Sequence, residues 1–344
     1  MRIARPFHPL FLLAGLLPLL WIIGGCQAES AGPEAPIPVR FATVPFIGET
    51  TSYVAYANGY FADEGLDVTL SFNPGGWMSL RDLFQGDVDI ATVAELPIVY
   101  SAFDKQAYTD FDRGDFYIIG DLIFADDFQQ VVARRDRGIT SPADLKGKTL
   151  GVFAGTTLDF YMDMFLIDNN ISQDEVTVVN LDVFQLTDAL VAGEVDAIFT
   201  WQPHVDLAME ALGENGIAMS SRLRFTTAWL ITVMKEYGDA NPEVLRKFLR
   251  AMLRAEQFIQ ENPEAAVAIH AELTDVPIET VAKLQKKVAF DLSLSEGLLI
   301  QLQEEARWLI RSGRTTQTEV PDFMEFINLD PLRDVKPGGI SIIQ

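Results

Sequence analysis

One cysteine and three histidines in 344 residues leave little material for thiol or imidazole chemistry. A disulfide framework needs at least two cysteines, and a Cys-ligated metal site usually needs more. The histidines, His8, His204 and His270, lie far apart, and neither HExxH nor GxSxG accompanies them. The glycine pairs Gly75-Gly76 and Gly338-Gly339 belong to no phosphate-loop pattern. Positive charge is scarce too: 26 Lys plus Arg stand against 49 Asp plus Glu, a net charge of −23. Such a chain repels phosphate backbones and anionic lipid surfaces unless a basic patch intervenes. The densest basic run, Arg134, Arg135 and Arg137, is short and broken by Asp136. No nucleic-acid partner, no metal and no cofactor are expected.

What is present begins at the N-terminus. Arg2 and Arg5 precede an apolar stretch from Pro9 to Ile23, too short for a spanning helix and interrupted by Pro18. That is the pattern of a signal peptide over residues 1–25. The sole cysteine follows Gly24-Gly25, and the sequence Ile23-Gly24-Gly25-Cys26 resembles a bacterial lipobox. Cys26 is therefore the expected lipidation site, the alternative being an ordinary signal peptide with a cysteine near its end. Removing residues 1–25, which hold two basic and no acidic side chains, would leave 319 residues at a charge of −25. Residues 26–36, small, polar and Pro-containing, read as a flexible tether. The expected location is outside the cytoplasm, anchored to a membrane of the cell envelope.

The remainder is long enough for two compact domains. From Val39 the order is βαβαβ: VRFATV, TSYVAYAN, DVTLSF, SLRDLFQG and DVDIATV. A second set follows from Thr149: TLGVF, TLDFYMDMFLIDN, VTVVN, FQLTDALVAG and VDAIFT. Alternating strands and helices predict parallel α/β sheets. The strand DFYIIGDLIF from Asp115 ends where the first set gives way to the second, and WLITVM from Trp229 is the expected return. Two crossings make a hinge. The expected boundaries are 37–125 with 229–344 for lobe one, and 126–228 for lobe two. Asn241-Pro242-Glu243 and Asn262-Pro263-Glu264 both carry helix-start signals, with the asparagines as N-caps. A further helix is expected from Ser295 to Arg311, with Leu298, Leu299, Leu302, Ala306, Leu309 and Ile310 on its apolar side.

Ligands of open α/β sheets bind beyond the carboxyl ends of the strands. The residues found there are Phe46 after the first strand, Trp77 and Met78 after the second, and Glu95 after the third. Phe128 and Gln129 lie near the crossing, Gly155, Thr156 and Thr157 follow TLGVF, and Trp201 and Gln202 follow VDAIFT. Flat apolar surfaces mixed with a few directional polar groups have the composition of a small-molecule cleft. Each residue also has a plainer reading: Trp77 as core or surface anchor, Thr156 and Thr157 as helix caps, Glu95 as a capping acid before LPIVYSAF. A capped helix start with free N–H groups can still receive an anionic group. Arg222 and Arg224, in the segment before the return crossing, are the cations expected to approach the cleft.

These stretches, taken in order, resemble the solute-binding proteins of bacterial ABC importers for sulfonates, nitrate, taurine and thiamine-pyrimidine precursors. The similarity rests on GYFADEGLDV (Gly59 to Val68), GDVDIATVAELP (Gly86 to Pro97), SPADLKGKTLGVFAGTT (Ser141 to Thr157) and VDAIFTWQPHV (Val195 to Val205). NPEVLRKFLRAMLRAEQFIQENPEAA and the tail FINLDPLRDVKPGG extend it over nearly the whole mature chain. The resemblance implies an α/β, bilobal type II periplasmic-binding fold: two three-layer lobes, a two-crossing hinge, and C-terminal helices packed on lobe one. It also implies a monomer that closes on a small solute and is recognised by importer permease subunits. Ligand contacts of the family fall on Phe46, Trp77, Glu95, Gly155 to Thr157 and Trp201.

A desolvated sulfonate or nitrate needs convergent donors, and the strand-end rule brings a helix start and Thr hydroxyls to the expected cleft but no Lys or Arg. The Trp and Phe content favours a planar or heteroaromatic solute, such as a pyrimidine or flavin-like precursor. Two other functions compete. A pyrimidine-synthesising enzyme shares the fold, but it depends on a Cys-rich segment that this chain lacks. A ligand-sensing subunit of a signalling receptor would carry the same sequence features as a transport protein.

Overall fold

The computed structural model describes residues 35–104, 115–126, 128–223 and 225–343. The signal peptide, the lipidation site Cys26 and residues 26–34 of the tether lie outside the described residues, as does Arg224. No helix among the described residues is long and apolar enough to cross a membrane.

Among the described residues, twelve strands form two sheets. β1 (Ile37–Thr43), β2 (Leu66–Phe72), β3 (Ile90–Ala94) and β4 (Phe116–Asp126) precede the first crossing. β5 (Gln129–Arg134), β6 (Thr149–Val152), β7 (Thr177–Asn180), β8 (Ala197–Trp201) and β9 (Gly216–Met219) follow it. β10 (Thr226–Thr227), β11 (Trp229–Met234) and β12 (Val288–Ser293) return. The seven-stranded sheet runs β10-β4-β11-β3-β1-β2, with β12 also on β4; the five-stranded sheet runs β7-β6-β8-β5-β9.

The two sheets share one plan. In each, three parallel strands lie in the order second, first, third: β2-β1-β3 and β7-β6-β8. The next neighbour in each is antiparallel and comes straight from a crossing, β11 beside β3 and β5 beside β8. Each lobe is thus completed by a strand that has just arrived from the other. Sheet one keeps the chain through Asp126 and recovers it at Thr226, since Thr226 pairs with Asp126 and Thr227 with Ala125.

Packing explains the helices. Helix Pro242–Glu261 buries Val244, Leu245, Phe248, Leu249, Met252, Ala255 and Ile259 on one face, at helical spacing. Phe248 meets Phe41 edge-on at 5.1 Å and stacks on Phe61 at 5.0 Å. Pro263 ends that helix and opens Pro263–Thr274. Asn241 and Asn262 are not side-chain N-caps. Their amides turn back and donate to the carbonyls of Tyr237 and Phe258, closing the preceding helix instead. Ser295 does cap Glu296–Arg311, accepting from the Leu298 N–H at 3.1 Å.

Each lobe has its own apolar core, and Phe160 and Trp201 pack against both. The interface beside the hinge is polar as well as apolar. Trp308 donates its Nε1–H to Asp163 at 2.7 Å, and Arg314 pairs with Asp159. Both acids belong to helix Thr157–Asp168 of lobe two.

Candidate functional site

The carboxyl ends of the parallel strands of both sheets face one cleft of about 310 Å3. Val44 to Phe46 follow β1, Pro74 to Met78 follow β2, and Ala94 ends β3. From lobe two come Phe153, Thr156 and Thr157 after β6, Asp182 to Phe184 after β7, and Trp201 to His204 at the end of β8. The crossings contribute Phe128, Gln129, Thr227 and Trp229.

Local sequence shapes these loops. Gly76 starts helix Gly76–Gln85 where a Cβ would lie 2.9 Å from the Trp229 ring and 3.0 Å from the Val93 backbone, so only glycine lets the loop lie so close. Gly155 adopts φ +77°, turning the chain from β6 into helix Thr157–Asp168. Its N–H donates to Asp159 at 3.3 Å. Thr156 is the N-cap, accepting from the Leu158 N–H while its hydroxyl donates to the Phe153 carbonyl at 2.7 Å.

Among the described residues, seven Phe and Trp side chains line the cleft: Phe46, Trp77, Phe128, Phe153, Phe184, Trp201 and Trp229. Phe46 meets Phe128 edge-on at 5.1 Å and Trp229 at 4.5 Å. Trp77 of lobe one meets Phe153 of lobe two at 6.4 Å and 74°. Phe184 stands edge-on to His204 at 5.7 Å. Burial holds the His204 imidazole below its ordinary pKa, against a smaller opposing pull from Asp182. Among the described lining residues there is no Lys or Arg.

Of the eleven ligand-contact residues expected from sequence, nine line the cleft: Phe46, Trp77, Met78, Phe128, Gln129, Thr156, Thr157, Trp201 and Gln202. Gly155 shapes the loop without reaching the lining. Glu95 lies behind the wall, fully buried. One of its oxygens accepts from the Ala228 N–H at 3.1 Å and the other from the Thr157 hydroxyl at 3.4 Å. It ties lobe one to the return crossing and to lobe two. Burial pushes its pKa up to about 7. Arg222 does not approach the cleft; it pairs with Asp168 at 3.1 Å and is largely exposed.

The sequence reading missed Asp182, Phe184, Trp229, Thr274 and Val276 as lining residues. Asp182 and Phe184 follow β7 and were open to the same strand-end rule. Trp229 begins a strand that enters the cleft from its far side. Thr274 and Val276 come from the end of a distant helix and carry no local signal. Beneath the cleft lies Glu49, fully buried, accepting from the Trp229 Nε1–H at 2.9 Å, from the Ser52 hydroxyl at 2.6 Å and from the Thr92 hydroxyl. Burial raises its pKa to about 7, against those hydrogen bonds.

No group of three or more His, Cys, Asp or Glu among the described residues is placed to hold a metal ion. The cleft offers flat apolar walls with few polar groups, the chemistry of reversible capture.

A family model described as NMT1/THI5 like matches residues 48–266, which include most of this lining. The chain belongs to the NMT1/THI5-like family. Among its relatives, the formylaminopyrimidine-binding protein of Halalkalibacterium halodurans is 26% identical over 278 residues, covering 75% of this chain and 78% of the relative. The alkanesulfonate-binding protein SsuA of Xanthomonas axonopodis pv. citri, solved with MOPS bound, superposes with a TM-score of 0.69 at 15% identity, over 86% of this chain and 99% of the other. The nitrate-binding protein NrtA of Synechocystis PCC 6803 superposes with a TM-score of 0.67 at 14% identity, over 89% and 90%. This NMT1/THI5-like chain thus has the two-lobed fold of periplasmic binding proteins, as the strand order required.

Proposed function

We propose that the protein is an extracytoplasmic solute-binding protein that captures a small organic nutrient between its lobes and delivers it to an ABC importer. Closure around the solute would convert occupancy into a shape that permease subunits recognise. An aromatic or heterocyclic solute, such as a pyrimidine or flavin-like precursor, is favoured over sulfonate, nitrate or taurine. One observation carries this preference: among the described lining residues there are seven Phe and Trp side chains and no Lys or Arg. The formylaminopyrimidine-binding relative supports the same direction. Cys26, lipidated, would keep the binder beside its transporter.

The test is a thermal-shift screen of residues 27–344 against pyrimidines, flavins, aromatic acids, sulfonates, taurine and nitrate. A ligand at 100 times its Kd adds about 2.7 kcal/mol of stability. A shift with the heterocycles supports the reading; a shift with sulfonate or nitrate alone overturns the ligand preference. For the anchor, Cys26→Ser is expected to release the protein from the membrane fraction, and unchanged fractionation with an unaltered N-terminal mass overturns that assignment.

A further inference from the structure

The hydroxyl and amide donors that an anion would need are largely committed within the protein. Thr156 donates its hydroxyl to the Phe153 carbonyl and Thr157 to Glu95. Thr227 and Gln129 bond to each other at 2.8 and 3.2 Å. The Trp229 indole N–H points at Glu49. Helix starts bring partial positive charge to the cleft, but four of the five helices that begin there have an acid at the cap or in the first turn. These acids are Glu95, Asp159, Asp182 and Asp206; only Gly76–Gln85 has none.

Two of the four are paired outside the lining, Asp159 with Arg314 at 2.6 Å and Asp206 with Lys283 at 2.6 Å. Glu95 is sealed behind the wall. Among the described lining residues, Asp182 is the carboxylate. Its Oδ1 caps helix Val183–Ala192 by accepting from the Phe184 N–H at 3.0 Å, and no cation among the described residues pairs with it. Burial lowers the pKa of the neighbouring His204 imidazole, against a smaller opposing pull from Asp182 itself. Aromatic faces attract cations through the ring quadrupole, tryptophan most strongly, and the net charge of −23 draws cations toward the molecule.

We propose that the cleft selects a flat organic cation, its ring against the Trp and Phe walls and its positive charge beside the Asp182 carboxylate. This rests on the solute-binding reading and narrows it to one charge class.

The experiment compares three pyridine probes by calorimetry: 1-methylnicotinamide, methylated on the ring nitrogen, as the cation, nicotinamide as the neutral ring and pyridine-3-sulfonate as the anion. The cation is expected to bind about tenfold tighter than the neutral ring, and the anion not at all. Asp182→Asn keeps a side chain that caps helices equally well and removes only the charge. It is expected to cut the cation's advantage to about threefold or less, with an unchanged melting temperature. Raising salt is expected to weaken the cation and leave nicotinamide unaffected. Equal or tighter binding of the neutral or anionic probe overturns the charge assignment and leaves solute binding standing. So does a cation advantage untouched by Asp182→Asn. Failure of all three probes at about 10 mM overturns the charge assignment, and solute binding falls with it only if the wider screen under Proposed function is also negative.

Discussion

Arg314 holds Asp159 with two parallel hydrogen bonds, Nε to Oδ2 at 2.9 Å and Nη2 to Oδ1 at 2.6 Å, across the boundary between the lobes. The guanidinium also lies 4.5 Å over the Trp308 ring, and Trp308 reaches Asp163 one turn along the same helix. Asp159 in turn accepts from the Gly155 N–H. A residue from the C-terminal part of the chain thereby steadies the loop that presents Thr156 and Thr157 to the cleft.

Breaking this pair leaves a carboxylate whose side chain is 5% exposed without its cation. Removing one partner of a buried pair costs about 3–5 kcal/mol, and the 22% exposure of Arg314 reduces that figure. Arg314→Met is expected to lower unfolding stability by about 2 kcal/mol and to weaken ligand binding through the Gly155 loop. Urea denaturation checks the first and calorimetry the second; an unchanged denaturation midpoint would contradict the role given to the pair.

The sequence exposed the cleft's rim better than its depth. Loops after strands are local features, so Phe46, Trp77, Thr156 and Trp201 were legible from strand periodicity and the strand-end rule alone. Glu95 obeys the same rule, yet its side chain turns inward to the Ala228 N–H, a partner 133 residues away that no local pattern announces. Trp229 was legible as the start of a returning strand but not as a cleft wall, because that role depends on the β11–β3 pairing that brings it opposite Ala94. Arg222 was near in sequence and far in space, drawn off by Asp168. The asparagines at 241 and 262 fit a start signal, but the kink between consecutive helices leaves unpaired carbonyls that their amides meet instead.

Glu49 gives a pH prediction. Its pKa rises from 4.5 to about 7 on folding, so the folded state holds a proton that the unfolded chain releases between those values. Its stabilising effect is complete below about pH 4.5 and is lost as pH climbs through about 7, a change on the order of 3 kcal/mol. His270 acts in the opposite sense, because burial lowers its pKa to about 4 and the unfolded chain binds the proton first as pH falls below about 6.5. The test therefore lies in a difference. Glu49→Gln, a mimic of the protonated carboxyl, should become more stable relative to the parent as pH rises from 5 to 7.5. Parallel stability curves for the two proteins would rule out a titrating Glu49.

Trp201 packs against both cores and lines the cleft. Stacking of a flat ring on an aromatic side chain is worth about 1–3 kcal/mol, by analogy with base stacking. Trp201→Ala is expected to raise the Kd for a heteroaromatic ligand by about 5- to 150-fold in calorimetry. An unchanged Kd would leave Trp201 as a packing residue only.

Lys283 and Asp206 close a second contact between the lobes, at 2.6 Å, from helix Ile278–Gln285 to helix His204–Leu212. Here the physics differs from Arg314, since the side chains are 57% and 34% exposed and water screens them. Exposed pairs contribute about 0–1 kcal/mol. Lys283→Ala is therefore expected to leave unfolding stability within about 1 kcal/mol of the parent. Its effect should appear in closure instead, because Asp206 also accepts from the Gln202 amide at 3.2 Å and so connects the pair to the cleft wall. Ligand Kd should rise a few-fold in low salt, and the difference from the parent should shrink at about 1 M salt, where the Debye length falls to about 3 Å and weakens exposed pairs. A Kd difference that persists in high salt would show that the lysine acts through packing rather than charge.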